Sequence, residues 1–154
     1  MWHGSSRAVA APDLLHARPN TDFGRGFYVT PIYEQALSFT HRFKRRGQGS
    51  VISRYTFDEA ASRVLDVLCF ASYSDEWLTF VLTCRMGQDT SSYDIVSGGV
   101  ANDRVFNTLE LYTDALIERK EALRRLQYEK PNEQLCLRTE AALSLLHYEG
   151  SERV

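Results

Sequence analysis

With 154 residues, 44% of them hydrophobic and 25% charged, the chain has the make-up of a folded domain with its own core, and it is neither repetitive nor biased enough to be disordered. A formal net charge of −2 gives no global attraction to nucleic acid or to an anionic membrane, so any such contact has to come from a local patch. Cys69, Cys84 and Cys136 are odd in number and lack the short spacings of zinc ribbons or disulfide scaffolds, which reads as buried thiols in a reducing compartment.

No apolar run approaches the roughly 20 residues of a membrane helix, and no signal-peptide core precedes the first motif. The expectation is one domain over residues 1–154, cytoplasmic and away from membranes, although delivery as a secreted effector would leave no mark of this kind.

Met1 to Gly4 reads as a strand, and Ser5 to Thr21, with Pro12 and Pro19 and little periodicity, as an irregular loop long enough to fold over a ligand. Phe27 to Thr30 reads as a second strand. Thr30-Pro31 is an N-cap followed by proline at the first helical position, and Ile32, Ala36, Phe39 and Phe43 recur at helical spacing until the basic stop Lys44-Arg45-Arg46-Gly47. Ser50 to Phe57 alternates in the β manner, with Val51, Tyr55 and Phe57 on one face and Arg54 and Thr56 on the other. Val64 to Phe70 is richer in apolar residues and predicts a more buried strand.

Ser74 caps a helix with Asp75 and Glu76 in its first turn and Trp77, Phe80, Val81 and Cys84 as its buried stripe. Tyr93 to Gly99 predicts another short strand, and Ala101-Asn102-Asp103-Arg104 opens a helix. A further helix spans about Glu118 to Tyr128 and is ended by Pro131. Glu133 to Arg138 predicts a last strand, and Thr139 caps a closing helix with Ala142, Leu145 and Leu146 inward. Strands and helices alternate too irregularly for a doubly wound sheet, and Gly24-Arg25-Gly26 precedes a strand rather than a helix, which excludes a dinucleotide fingerprint. The pattern favours an α+β domain with a bent mixed or antiparallel sheet.

Two stretches carry the chemistry. Trp2-His3-Gly4-Ser5 and Asp22-Phe23-Gly24-Arg25-Gly26-Phe27-Tyr28-Val29-Thr30 each set polar groups beside glycines at a strand end, as needed where a backbone and a ligand approach closely. His3-Gly4 on a first strand, Gly26-Phe27-Tyr28-Val29-Thr30 on a second and Asn132-Glu133-Gln134-Leu135 on a late one resemble the His, Tyr and Glu triad of ADP-ribosyltransferases. Together with Tyr93-Asp94, Ala101-Asn102-Asp103-Arg104 and Gln134, they resemble more narrowly a bacterial domain-of-unknown-function family grouped with those transferases.

The resemblance implies a split, two-sheet α+β fold that holds NAD as a substrate between the sheets. By that likeness His3 hydrogen-bonds the adenosine ribose, Gly4 lets the chain pass close to the nicotinamide amide, and Tyr28 stacks on the nicotinamide ring. Gly26, Phe27, Thr30, Asn102 and Asp103 would complete the nucleotide site. The activity implied is transfer of ADP-ribose to a macromolecule, protein or nucleic acid, as in the toxins and defence effectors of that superfamily. Its partners would be NAD, the acceptor and an antitoxin or regulator. Hydrolysis of NAD, or nucleotide binding without catalysis, are the alternatives.

The late strand leaves two residues open for the group near the 2′-hydroxyl of the nicotinamide ribose. Alignment with the Asn-Glu-Tyr of poly(ADP-ribose) polymerases selects Glu133. Strand parity selects Gln134, because Glu133 shares a face with Leu135 and Leu137 whereas Gln134 shares one with Cys136 and Arg138. A glutamine binds a hydroxyl but is no base, so an acceptor would then need Asp103 or Glu133. The run from His41 to Arg46 reads as a cationic last turn complementing a helix dipole, with phosphate binding as the sharper alternative.

Overall fold

The structure is a computed structural model and describes residues 1–129 and 132–154. Its elements follow in the order β1 (Trp2–Ser5), β2 (Phe27–Val29), α1 (Tyr33–Lys44), β3 (Val51–Phe57), α2 (Glu59–Ser62), β4 (Val67–Cys69), α3 (Asp75–Arg85), β5 (Ile95–Gly98), α4 (Asp103–Thr113), α5 (Arg119–Leu126), β6 (Gln134–Leu137), α6 (Glu140–Leu143) and β7 (Leu146–Arg153). They build two sheets, ordered β1-β3-β7 and β2-β6-β5-β4. The first is antiparallel throughout; the second is mixed, with β4 and β5 parallel. This is the expected α+β, two-sheet core. No helix among the described residues is long and apolar enough to cross a membrane.

Side-chain alternation decides what each sheet face buries. Phe27, Val29, Ile95 and Leu137 meet Tyr55 and Leu146 of the other sheet and Ala142 and Leu143 of α6, so one core lies between the sheets. The opposite face of the four-stranded sheet presents Val96 and Cys136 to Trp77, Leu78 and Val81 of α3, Val105 and Leu109 of α4, and Ala122 and Leu126 of α5. Helix α1 packs instead on β1 and β3.

Glycine permits two of these contacts. A Cβ on Gly4 would lie 2.3 Å from the Ala36 carbonyl oxygen, and one on Gly26 would lie 2.4 Å from Cys136 Sγ. Gly4 thus admits α1 onto the strand, and Gly26 admits the chain against β6.

Several expectations need correction. Helix α1 begins at Tyr33, with Ile32 as N-cap and no side-chain cap, rather than after Thr30. The Thr30 main chain is held extended by its bridge to Trp2, and its hydroxyl donates to the Glu133 carbonyl at 2.7 Å. The buried stripe of α1 is Ala36 and Thr40, while Ile32 and Phe39 are exposed, because close approach at Gly4 admits only small side chains. Leu78 rather than Phe80 completes the buried stripe of α3.

Val64 to Phe70 is not a buried strand. Only Val67–Cys69 pairs, and it forms the edge of its sheet, with Val67 and Cys69 exposed and Leu68 half-buried. The preceding Asp58 accepts from the Ala61 amide and starts the unforeseen short α2. The closing helix stops at Leu143. Leu145 and Leu146 are buried as expected, but Leu146 opens β7, which pairs with β3 from Val51 to Phe57. Ser74, Asn102 and Thr139 do cap their helices. Pro131, assigned as a helix stop, lies outside the described residues.

Gly26→Ala is expected to cost about 1–3 kcal/mol by overpacking. Gly47→Ala, at φ +68 with nothing within 4 Å, should cost about 1–2 kcal/mol from backbone strain alone. Urea unfolding of both variants checks this, and a Gly26→Ala loss below about 1 kcal/mol contradicts the packing at β6.

Candidate functional site

The two sheets meet where the β1 ladder to β2 stops after one bridge. Met1 and Tyr55 exchange hydrogen bonds of 2.6 and 2.9 Å, so by alternation His3 bonds toward Ser53 of β3, and the main chains of Trp2 and Gly4 face the other way, toward β2. Trp2 uses both groups on Thr30, at 2.8 and 2.9 Å. The next pair of a continuing ladder would join Gly4 to Tyr28. It is not made, since the bridge is isolated.

The His3 side chain takes its place. Nδ1 lies 2.7 Å from the Tyr28 carbonyl oxygen, and the ring stacks on Phe27 at 4.3 Å and 30°. A carbonyl only accepts, so Nδ1 carries the proton. Burial pushes the His3 pKa below its ordinary value, outweighing the opposing effect of the Tyr28 hydrogen bond, and favours the neutral ring. Nε2 then carries a lone pair and makes no hydrogen bond among the described residues. Gly4 is buried, and its N–H faces the seam with no partner among the described residues. A buried main-chain donor in that condition is rare in a folded protein.

Tyr28 stands on the other face of β2. Its register partner is Cys136, and both belong to the helix-covered side, whereas Phe27 and Val29 face the core between the sheets. The Tyr28 hydroxyl donates to the Gly24 carbonyl at 2.9 Å, accepts from the Phe23 amide at 3.0 Å and lies 2.8 Å from Thr21 Oγ1. Burial, foremost, raises its pKa well above the usual phenol value. The half-buried ring is therefore fixed from both ends, with Phe23 stacked beside it at 6.5 Å and 14°.

On the late strand Leu135 and Leu137 face the core between the sheets and Cys136 faces the helices. Gln134, two residues from Cys136, shares the Tyr28 face and is half-buried; Glu133 lies just before the strand with its side chain exposed. Gln134 pairs with Gly98, the residue that leads into the Asn102 turn. Asn102 Oδ1 is occupied as a cap for the Arg104 and Val105 amides, both at 3.0 Å, and Asp103 is exposed in the first turn of α4.

The structure thus brings His3, Gly4, Phe27, Thr30 and the Tyr28 main chain to the seam, whereas the Tyr28 ring and Gln134 lie on the helix-covered face rather than between the sheets. Gly26 is pressed against β6 and Asn102 is spent on its helix.

Asp22 carries more than the sequence assigned to it. Oδ1 accepts from Arg85 Nε at 2.8 Å, and Oδ2 accepts from the Ala101 amide at 2.8 Å, so it ties the turn before Tyr28 to the turn before α4. An acid directly ahead of Phe-Gly, with the later Ala-Asn-Asp-Arg turn in need of an acceptor, was the available signal. Asp94 is likewise structural: its carboxylate accepts from Thr139 Oγ1 at 2.7 Å and the Asp66 amide at 2.9 Å, and these bonds lower its pKa. Behind the Tyr28 hydroxyl, a cleft of about 340 Å³ is lined by Gly24, Cys84, Ser91 and the Asp89–Arg138 ion pair. Asp89 and Arg138 there satisfy one another, while Arg25 at its rim forms no ion pair among the described residues. No cluster of three or more metal-binding side chains occurs among the described residues.

The chain belongs to the family described as "Protein of unknown function (DUF3990)", whose match spans residues 1–148. No curated protein and no solved structure matches the chain.

A histidine whose folded pKa is depressed is protonated more readily in the unfolded state, so stability is complete above about pH 6.5 and falls as the pH drops through that value. Chemical denaturation between pH 7.5 and about 5 should show this loss, and His3→Gln should flatten it. An unchanged slope in the variant contradicts a neutral His3 held at the Tyr28 carbonyl.

Proposed function

We propose that this protein is an NAD-dependent mono-ADP-ribosyltransferase acting on a macromolecule. The observation that carries the proposal is the seam: Gly4 presents its main chain beside a neutral His3 at the point where two strands part, with the fixed Tyr28 ring on the far face of β2. A carboxamide both donates and accepts, so it is the complement of a free strand edge, and nicotinamide is an aromatic carboxamide. His3 Nε2 accepts from a ribose hydroxyl, and the Tyr28 ring supplies the stacking face. The resemblance of the His3-Gly4, Gly26-to-Thr30 and Asn132-to-Leu135 motifs to transferases supplies the rest of the reading.

The transfer breaks the bond between ribose C1′ and the nicotinamide nitrogen, whose electron pair leaves with nicotinamide. The acceptor nucleophile forms the new C1′ bond and gives up its proton. Positive charge grows on the ribose in the transition state, so an acceptor held at the 2′-hydroxyl lowers the barrier by on the order of 3 kcal/mol, or about a hundredfold. Gln134 is assigned that place because it shares the Tyr28 face. Being no base, it leaves the acceptor's proton to Glu133, which stands exposed beside it, or to Asp103. A toxin or defence role, held in check by an antitoxin or regulator over the seam, fits such an enzyme.

Incubation with NAD labelled in its adenylate half and a cell lysate should move label onto protein or nucleic acid and release nicotinamide. Release without transfer would indicate a glycohydrolase, and neither would leave only a binding module. Gln134→Ala is expected to lower turnover about a hundredfold and Glu133→Ala less; the reverse order assigns the 2′-hydroxyl to Glu133. Tyr28→Ala should abolish turnover, and full activity in that variant removes the stacking role.

A further inference from the structure

The C-terminal end of α1 concentrates positive charge without counter-charge. Arg42, Lys44, Arg45 and Arg46 follow one another there, and Arg18 of the β1–β2 loop lies close enough that its charge, after burial, helps lower the Arg42 pKa. None of these five makes an ion pair among the described residues. Several arginines elsewhere are matched, Arg85 to Asp22, Arg119 to Asp75, Arg138 to Asp89, and both Arg124 and Arg125 to Glu121, while unpaired ones such as Arg7, Arg63 and Arg153 are scattered along the chain rather than clustered. Complementing a helix dipole needs one or two cations in the last turn, not five converging from two segments. In a chain of net charge −2, such a patch persists against mutual repulsion.

Aromatic groups are interleaved with the charge. The Arg42 guanidinium lies 3.4 Å over the Phe39 ring centroid, Phe39 is 38% exposed, and Phe43 packs beside it at 5.9 Å. Next to them a hollow of about 400 Å³ is lined by Ser38, His41, Lys44 and Arg45, all hydrogen-bond donors. Cations spread over a surface fit a row of phosphates, and a guanidinium plane held on an aromatic ring fits an unpaired base. An acidic protein segment would use the charges but gain nothing from the stacked pair. The helix that carries the patch also covers β1, where Ala36 and Thr40 lie against Gly4.

We propose that the basic end of α1, with Arg18, is a docking surface for single-stranded nucleic acid. That the docked strand is also the acceptor of ADP-ribose rests on the transferase reading. The docking itself does not.

The test is fluorescence anisotropy of the whole protein with a labelled single strand of about 12 nucleotides and no NAD, across a salt series. Binding should weaken with salt. Arg45→Ala with Arg46→Ala, both exposed and remote from the core, should weaken it at least tenfold and reduce the salt slope by about 0.7 for each phosphate no longer neutralised. Phe39→Leu should weaken strand binding several-fold while leaving binding of inorganic polyphosphate unchanged, a distinction that a purely electrostatic patch would not make. Circular dichroism confirms that the variants fold. Absence of strand binding, indifference to the arginine pair, equal losses for strand and polyphosphate in Phe39→Leu, or equal competition by polyglutamate would each overturn the proposal. Because NAD is absent, those failures leave the reading of the seam untouched.

Discussion

The structure depends on the way β1 and β2 part after a single bridge. Trp2 and Thr30 join the two sheets through a reciprocal pair of main-chain hydrogen bonds, and the His3 imidazole then occupies the carbonyl that the next pair would have used. Each bond is worth only about 1 kcal/mol net, but an edge cannot close while a ring is wedged into it. The wedge is held by its stack on Phe27 and by its neutral state, both consequences of burial. Opening the ladder leaves a buried strand edge that a polar ligand can use, and such edges are otherwise paired or covered.

Around that seam the motifs are tied to one another by side-chain carboxylates and hydroxyls. Asp22 joins the turn before β2 to the Ala101 amide, and Thr30 joins β2 to the Glu133 carbonyl. The Tyr28 hydroxyl folds the turn from Thr21 to Gly24 onto its own ring. These bonds order groups far apart in sequence, so the ring and strand edges are preorganised rather than assembled by the ligand. The loop between β1 and β2 is pinned as well: the Val9 amide donates to Ser53 Oγ at 3.0 Å, and the Tyr55 hydroxyl donates to the Val9 carbonyl at 2.5 Å.

Much of this was legible where local chemistry decides the outcome. Ser74, Asn102 and Thr139 announced their helices because a capping side chain acts within three residues. Parity set Leu135 and Leu137 on the face opposite Gln134 and Cys136 because alternation is a property of the strand itself. Failures came where partners are distant. Thr30 has the chemistry of an N-cap, but its bridge to Trp2 and its bond to Glu133 win. Val64 to Phe70 is apolar enough for a central strand, yet only Val67–Cys69 pairs, at the sheet edge, which leaves Val67 and Cys69 exposed. Leu145 and Leu146 are buried at helical or extended spacing alike, and only the long partner β3 makes Leu146 the start of a strand. Asp22 was missed as a brace because its two partners lie at residues 85 and 101, so its position ahead of Phe-Gly was the only local signal.

The most direct test of the account is an amide nuclear magnetic resonance titration of the protein with NAD, following the Gly4 and Tyr28 N–H signals. The Gly4 amide is expected to show the largest change, with Tyr28 and the His3 ring responding beside it, because the free strand edge is where the carboxamide docks. Changes confined to the cleft beside Asp89 and Arg138, or no saturable change at Gly4, would contradict it.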